Sequence, residues 1–187
     1  MLTEKDKKFL LEIARKSIEY YFDTGKKLEL SPEEVKSVNL VRLGACFVTL
    51  KLGEKLRGCI GTLEAHRPLF QDVIENSLAS AFGDPRFYPL TREELSEIKI
   101  SISVLTEPKD FPVKGPGDLL DKLKQGKHGL ILKQGAAQAT FLPAVWDELP
   151  DKVMFLEHLS MKAGLTPDGW KDSKTRFLVY EAIEFSE

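Results

Sequence analysis

The chain has 187 residues, of which 42% are apolar and 30% charged, with a formal net charge of −2. That length suits one domain whose core stands without disulfides or metals, burying about 70% of the unfolded chain's surface. A near-neutral balance excludes global attraction to nucleic acid or an anionic membrane, so any anion site must be local.

No run approaches the ~18 apolar residues of a membrane helix, and the charged start, Met1 to Asp6, lacks a signal peptide's apolar centre. A cytoplasmic location is the expectation. Cys46 and Cys59 have no CxxC spacing, and His66, His128 and His158 are scattered, so no metal set is expected. Phosphate-loop, dinucleotide and metalloprotease motifs are missing, and no cofactor is expected.

Thr3 to Asp23 reads as an amphipathic helix with Phe9, Leu10, Ile13, Ile18, Tyr21 and Phe22 as its stripe. Thr3 with Asp6 resembles a capping arrangement, and Gly25 stops the helix. Residues 45–63 read as a hairpin in which Cys46, Val48, Leu50 and Leu52 alternate with Phe47, Thr49 and Lys51. A three-residue loop, Gly53 to Lys55, would pair Leu52 with Leu56 and Lys51 with Arg57. The same register sets Leu50 by Gly58, Thr49 by Cys59 and Val48 by Ile60.

Pro68 opens a helix to about Phe82, followed by a stiff Gly83–Phe87 turn, a short helix with Thr91 and Glu94 as capping box, and a strand from Ile98 to Val104. Residues 108–117, rich in Pro and Gly, read as a linker or long loop. A helix over 118–125, strands over 128–133 and 138–142, a helix over 151–163 and one or two strands over 175–185 follow. Val153, Met154, Leu156, Leu159 and Met161 are core candidates, and Trp146 and Trp170 read as packing residues. Hairpins and helices mixed without βαβ repetition predict an α+β fold with a largely antiparallel sheet flanked by helices. The 187 residues form one domain in this reading.

The segment Leu56-Arg57-Gly58-Cys59-Ile60-Gly61 carries the chemistry. Strand alternation puts Arg57 and Cys59 on one face, and a cation beside a thiol favours the reactive thiolate. Gly58 and Gly61 would leave room for a ligand. Arg57 would orient an anion, Cys59 would act as nucleophile or acceptor, and His128 (with His66 as the other candidate) would move the proton. Arg86 is a second candidate clamp and Thr49 a hydrogen-bond partner of Cys59. The bland alternatives are a buried, inert Cys59 and arginines tied to acids such as Glu64, Asp72 or Asp84.

The hexapeptide from Leu56 to Gly61 is similar to the signature of the AMME chromosomal region protein family, protein A of the AmmeMemoRadiSam system. Ala81 to Leu90 with Glu94-Leu95, Ile102 to Thr106, His128 to Leu130, Phe141 to Trp146, and Lys162 to Leu165 with Trp170 resemble its further blocks, in order. The resemblance implies an α+β fold with a larger and a smaller lobe, and the Arg/Cys motif near a cleft. It also implies Memo-like and radical-SAM proteins as genomic company, without a settled activity. Two functions are therefore carried forward. One is an enzyme or enzyme component acting on a small anionic or peptide substrate; the other is a non-catalytic docking module working with those partners.

Overall fold

The computed structural model describes residues 2–187, as an α+β fold divided into two compact units. The first runs to Leu105 and is completed by Ile183–Glu187, and the second spans Thr106–Ala182.

In the first unit, helix α1 (Glu4–Thr24) is capped by Thr3, which exchanges bonds with Asp6, and closed by Gly25. A short helix α2 (Val38–Val41) leads to strand β1 (Leu43–Leu52), its hairpin partner β2 (Lys55–Gly61) and the two-residue β3 (Arg67–Pro68). Helix α3 (Leu69–Leu78) continues as a π-helical turn, Ala79–Gly83, and a 3-10 turn, Glu94–Ser96, precedes strand β4 (Ile98–Leu105). With the terminal strand β9 (Ala182–Ser186) the sheet has the order β2-β1-β4-β9, with β3 paired to β1. Leu10, Ile13 and Ile18 of α1 and Phe70 and Val73 of α3 pack on the inward row Cys46, Val48, Leu50, Ile100 and Ile102. The buried Asp72 ties α3 to the sheet, accepting from the Cys46 N–H at 2.9 Å and the Thr62 hydroxyl at 2.5 Å.

The second unit holds strands β5 (Lys109–Asp110), β6 (Gly129–Gln134), β7 (Ala137–Phe141) and β8 (Arg176–Tyr180), ordered β5-β8-β6-β7, with helices α4 (Pro116–Lys122) and α5 (Lys152–Lys162). Residues 108–117, expected as a linker or long loop, supply β5 and the first two residues of α4 here. Trp146 stacks on Phe155 with centroids 3.7 Å apart, and both tryptophans lie in the core as expected. Of the α5 candidates, Leu156 and Leu159 are buried with Phe155, whereas Val153, Met154 and Met161 are exposed. One helix buries one stripe, and Phe155, Leu156 and Leu159 occupy it.

The hairpin departs from expectation in an informative way. Its loop has two residues, with Gly53 at φ 59° in the first position, so Leu52 pairs with Lys55 and Lys51 with Leu56. That loop alone would invert every later side chain. The register instead shifts between Leu50 and Lys51, which makes Arg57 the extra residue of a β-bulge. Beyond the bulge the expected pairs are restored: Leu50 with Gly58, Thr49 with Cys59 and Val48 with Ile60.

Ser80 of the π-helical turn locks this hairpin. Its hydroxyl donates to the Val48 carbonyl at 2.7 Å and accepts from the Ile60 N–H at 2.9 Å. A Cβ on Gly58 would stand 2.0 Å from the Ser80 carbonyl oxygen, so only glycine lets the two backbones approach. Gly58→Ala is therefore expected to destabilise the fold by about 3 kcal/mol in chemical denaturation. Wild-type stability in that variant would show that the contact is dispensable.

Candidate functional site

The Arg/Cys motif lies on the edge strand β2, and its groups are largely engaged by the segment from Asp84 to Glu94. Placed in the bulge, Arg57 is re-aimed. Its Nε and Nη2 donate to the two carboxylate oxygens of Glu94 at 2.7 and 2.8 Å. Nη1 donates to the Tyr88 carbonyl at 2.8 Å, and Nη2 also reaches that of Pro89 at 3.2 Å. This forked pair holds the Glu94 carboxyl below its ordinary range, with burial opposing and the Thr91 N–H assisting.

The expected cross-strand pair of Lys51 and Arg57 is thus corrected: the two-residue loop sets Lys51 opposite Leu56, and the bulge takes Arg57 out of the ladder. Arg57 makes the kind of ion pair expected under the bland alternative, but with Glu94 and not with Glu64, Asp72 or Asp84. Glu94 gave only a local capping signal in sequence, and part of that remains, since it accepts from the Thr91 N–H at 2.8 Å.

A different guanidinium bonds to Cys59. Arg86 donates to the Cys59 carbonyl at 3.1 Å and forks onto Asp84 at 2.7 and 2.9 Å. Asp84 accepts in turn from the Cys59 N–H at 2.9 Å. One acid–base pair thereby saturates both backbone groups of Cys59 on the outer edge of β2, which blocks further strand pairing there. The Asp84 carboxyl lies far below its ordinary range, first because of Arg86, with burial opposing and the Cys59 N–H adding. Asp84 also accepts from the Arg86 N–H at 3.1 Å, closing its own turn as the sequence suggests.

Cys59 is half-buried, and its sulfur accepts from the Thr49 hydroxyl at 3.2 Å, the partner expected from the register. Both cysteines are free. Cys46 is wholly buried on the opposite face, where burial and then the Asp72 charge push its thiol up. The glycines serve packing: Ser80 fills the space beside Gly58, and a Cβ on Gly61 would stand 2.3 Å from the Phe47 ring. Grooves of about 460 and 490 Å³ are lined by other residues, around Arg67 and Ile74 and around Phe9 and Leu40.

His128 belongs to the second unit, and its bonds are made there. Its Nδ1 accepts from the Lys124 N–H at 3.1 Å, its ring meets Phe111 edge-on at 5.7 Å, and its carbonyl accepts from Trp146 at 2.8 Å. His66, in the first unit, contacts the Glu64 carbonyl through Nδ1 and accepts from Arg67 Nε, each at 2.9 Å. Neither supplies the hydrogen bond to sulfur; Thr49 does. Among the described residues no three His, Cys, Asp or Glu side chains are grouped to hold a metal, and no helix is long and apolar enough to cross a membrane.

The residues that sequence reasoning did not single out are Ser80, Glu94, Ser101 and Tyr88. Tyr88 is 90% exposed, although its carbonyl is fixed by Arg57. Ser101 stands opposite Thr49 on β4, so thiol and hydroxyls form one row across three strands: Cys59, Thr49, Ser101.

His128 gives a pH prediction. Burial lowers its pKa from 6.5, with Glu181 opposing and Lys124 and Lys127 assisting. The unfolded chain then binds more protons below that value, so folding stability falls as pH drops through about 6.5. His128→Gln should flatten this loss between about pH 5 and 7 in denaturant titrations, and an unchanged slope would contradict it.

The profile of the AMMECR1 family matches residues 11–185. Protein MK0488 of Methanopyrus kandleri is 40% identical over 194 residues, covering 100% of this chain and 90% of that protein. Protein NEQ441 of Nanoarchaeum equitans is 42% identical over 180 residues, covering 95% and 98%. Among solved structures, the uncharacterised protein PH0010 of Pyrococcus horikoshii superposes with a TM-score of 0.83 at 36% identity, covering 96% of this chain and 90% of that one. With the family profile matched over residues 11–185 and the fold shared with PH0010, this chain belongs to the AMMECR1 family.

Proposed function

We propose that this protein is a non-catalytic docking module whose contact surface is the loop from Asp84 to Leu90, with Tyr88 as anchor. The observation that carries this reading is the contrast within one residue. The Tyr88 side chain is 90% exposed, while the carbonyls of Tyr88 and Pro89 are held by an arginine that is itself forked onto Glu94. Leu90 closes the same loop, its N–H donating to the Ala81 carbonyl at 2.7 Å.

A rigid, exposed aromatic contributes nothing to its own core. It does lower the ordering cost of binding, and such anchors dominate interface energetics. The motif's arginine, the Asp84–Arg86 pair and the π-helical turn all serve to hold this loop. Memo-like and radical-SAM proteins, implied by the sequence resemblance, are the partners to test first.

A second reading keeps Cys59 as a reactive thiol toward a small anionic or peptide substrate. It is favoured by the half-buried sulfur, the Thr49 hydroxyl donating to it and the Arg86 guanidinium on its carbonyl. A nucleophile also needs a proton acceptor, and Thr49 is a poor one.

Two results separate the readings. Tyr88→Ala should weaken binding to a recombinant Memo-like or radical-SAM partner by about thirtyfold with unchanged thermal stability. Unaltered affinity, or no binding of either partner by the wild type, would overturn the docking reading. Under native conditions iodoacetamide should label the half-buried Cys59 and spare the buried Cys46. A Cys59 that resists alkylation would remove the thiol reading.

A further inference from the structure

We infer that the outward face of the first sheet carries a small-oxyanion site beside Cys59, built from the Lys51–Lys99 pair and the hydroxyl of Ser101. Its ligand is a small molecule bearing a phosphate or carboxylate group. This site is separate from the docking loop and stands whether or not that loop binds a protein.

The site follows from register. Lys51 lies directly opposite Lys99, and Thr49 opposite Ser101, on adjacent antiparallel strands. Ile98, Ile100 and Ile102 turn inward, so Lys99 and Ser101 share the outward face. The Thr49 bond to Cys59 fixes the same face for the sulfur. Residues two apart on a strand are about 7 Å apart, so the lysine pair is one step from the row of thiol and hydroxyls. An oxyanion held between the ammonium groups would accept from the Ser101 hydroxyl, the Thr49 proton being given to the sulfur.

Two like charges directly opposed on a sheet repel. Both lysines are exposed, and among the described residues neither makes an ion pair that would relieve this. Glu184 accepts from the Ser103 hydroxyl at 3.3 Å, one step to the other side of Ser101. The Ser101 hydroxyl makes no protein hydrogen bond among the described residues, so a donor is free. Leu50 and Ile100, fully buried beneath, give the site a rigid floor. The arginines expected to clamp an anion are committed to Glu94 and Asp84, which leaves this role to the lysines.

The test uses the full chain, with backbone amide shifts followed at constant ionic strength. Inorganic phosphate and acetate are titrated separately, each against sodium chloride, to distinguish the two ligand classes. Saturable shifts at residues 49–51 and 99–101 with either oxyanion, lost in a Lys51→Ala/Lys99→Ala variant, are the expected result. Shifts that do not saturate, that chloride reproduces, or that persist in the variant would overturn the site.

A second readout covers a variant that perturbs the strands. The ratio of Cys59 alkylation rates by iodoacetate and by neutral iodoacetamide should fall about fivefold in Lys51→Gln/Lys99→Gln, because only the carboxylate reagent senses the ammonium groups. An unchanged ratio would exclude the lysines from the neighbourhood of the thiol.

Discussion

The forked ion pair between Arg57 and Glu94 is the interaction on which the candidate site depends. Its two members are 15% and 23% exposed and meet through two parallel bonds, a geometry in which a salt bridge contributes beyond the small value of solvated pairs. The guanidinium's remaining donors take the carbonyls of Tyr88 and Pro89. One side chain therefore connects the hairpin, the exposed loop and the turn that precedes β4. The bulge makes this possible, because behind the two-residue loop a regular strand would have set Arg57 opposite Leu50 on the inward face.

The same economy explains the rest of the motif. Gly58 admits the Ser80 carbonyl, Gly61 admits the Phe47 ring, and the backbone of Cys59 is closed off by Asp84 and Arg86. Most of its polar and small residues thus have structural partners inside the first unit. The outward row of the sheet holds the exposed Lys51 and Lys99, and the ring of Tyr88 projects from its loop. The sulfur's hydrogen-bond partner is a threonine hydroxyl.

Much of the fold was legible because it rests on local rules. The Thr3–Asp6 cap, the Gly25 stop, the alternation in β1 and β4 and the pairing of Thr49 with Cys59 all follow from periodicity and turn chemistry. Two local errors in the hairpin, a loop one residue too long and a bulge left out, cancelled and left the inner register correct. Periodicity could not reveal the bulge, because nothing in Leu56-Arg57-Gly58 distinguishes a slipped residue from a paired one. Nor could it show that Glu94 answers Arg57 across 37 residues, since Thr91 explained that acid locally. The exposure of Met154 and Met161 was illegible for a related reason, as an apolar residue does not announce which side of the helix meets the core.

A double-mutant cycle on Arg57 and Glu94 tests this account most directly, with Arg57→Met, Glu94→Gln and the pair compared by chemical denaturation and by hydrogen exchange at the Cys59 and Leu90 amides. The account predicts a coupling energy of about 2 kcal/mol and a joint loss of protection at both amides in each variant. Additive effects within about 0.3 kcal/mol, with both amides still protected, would contradict it.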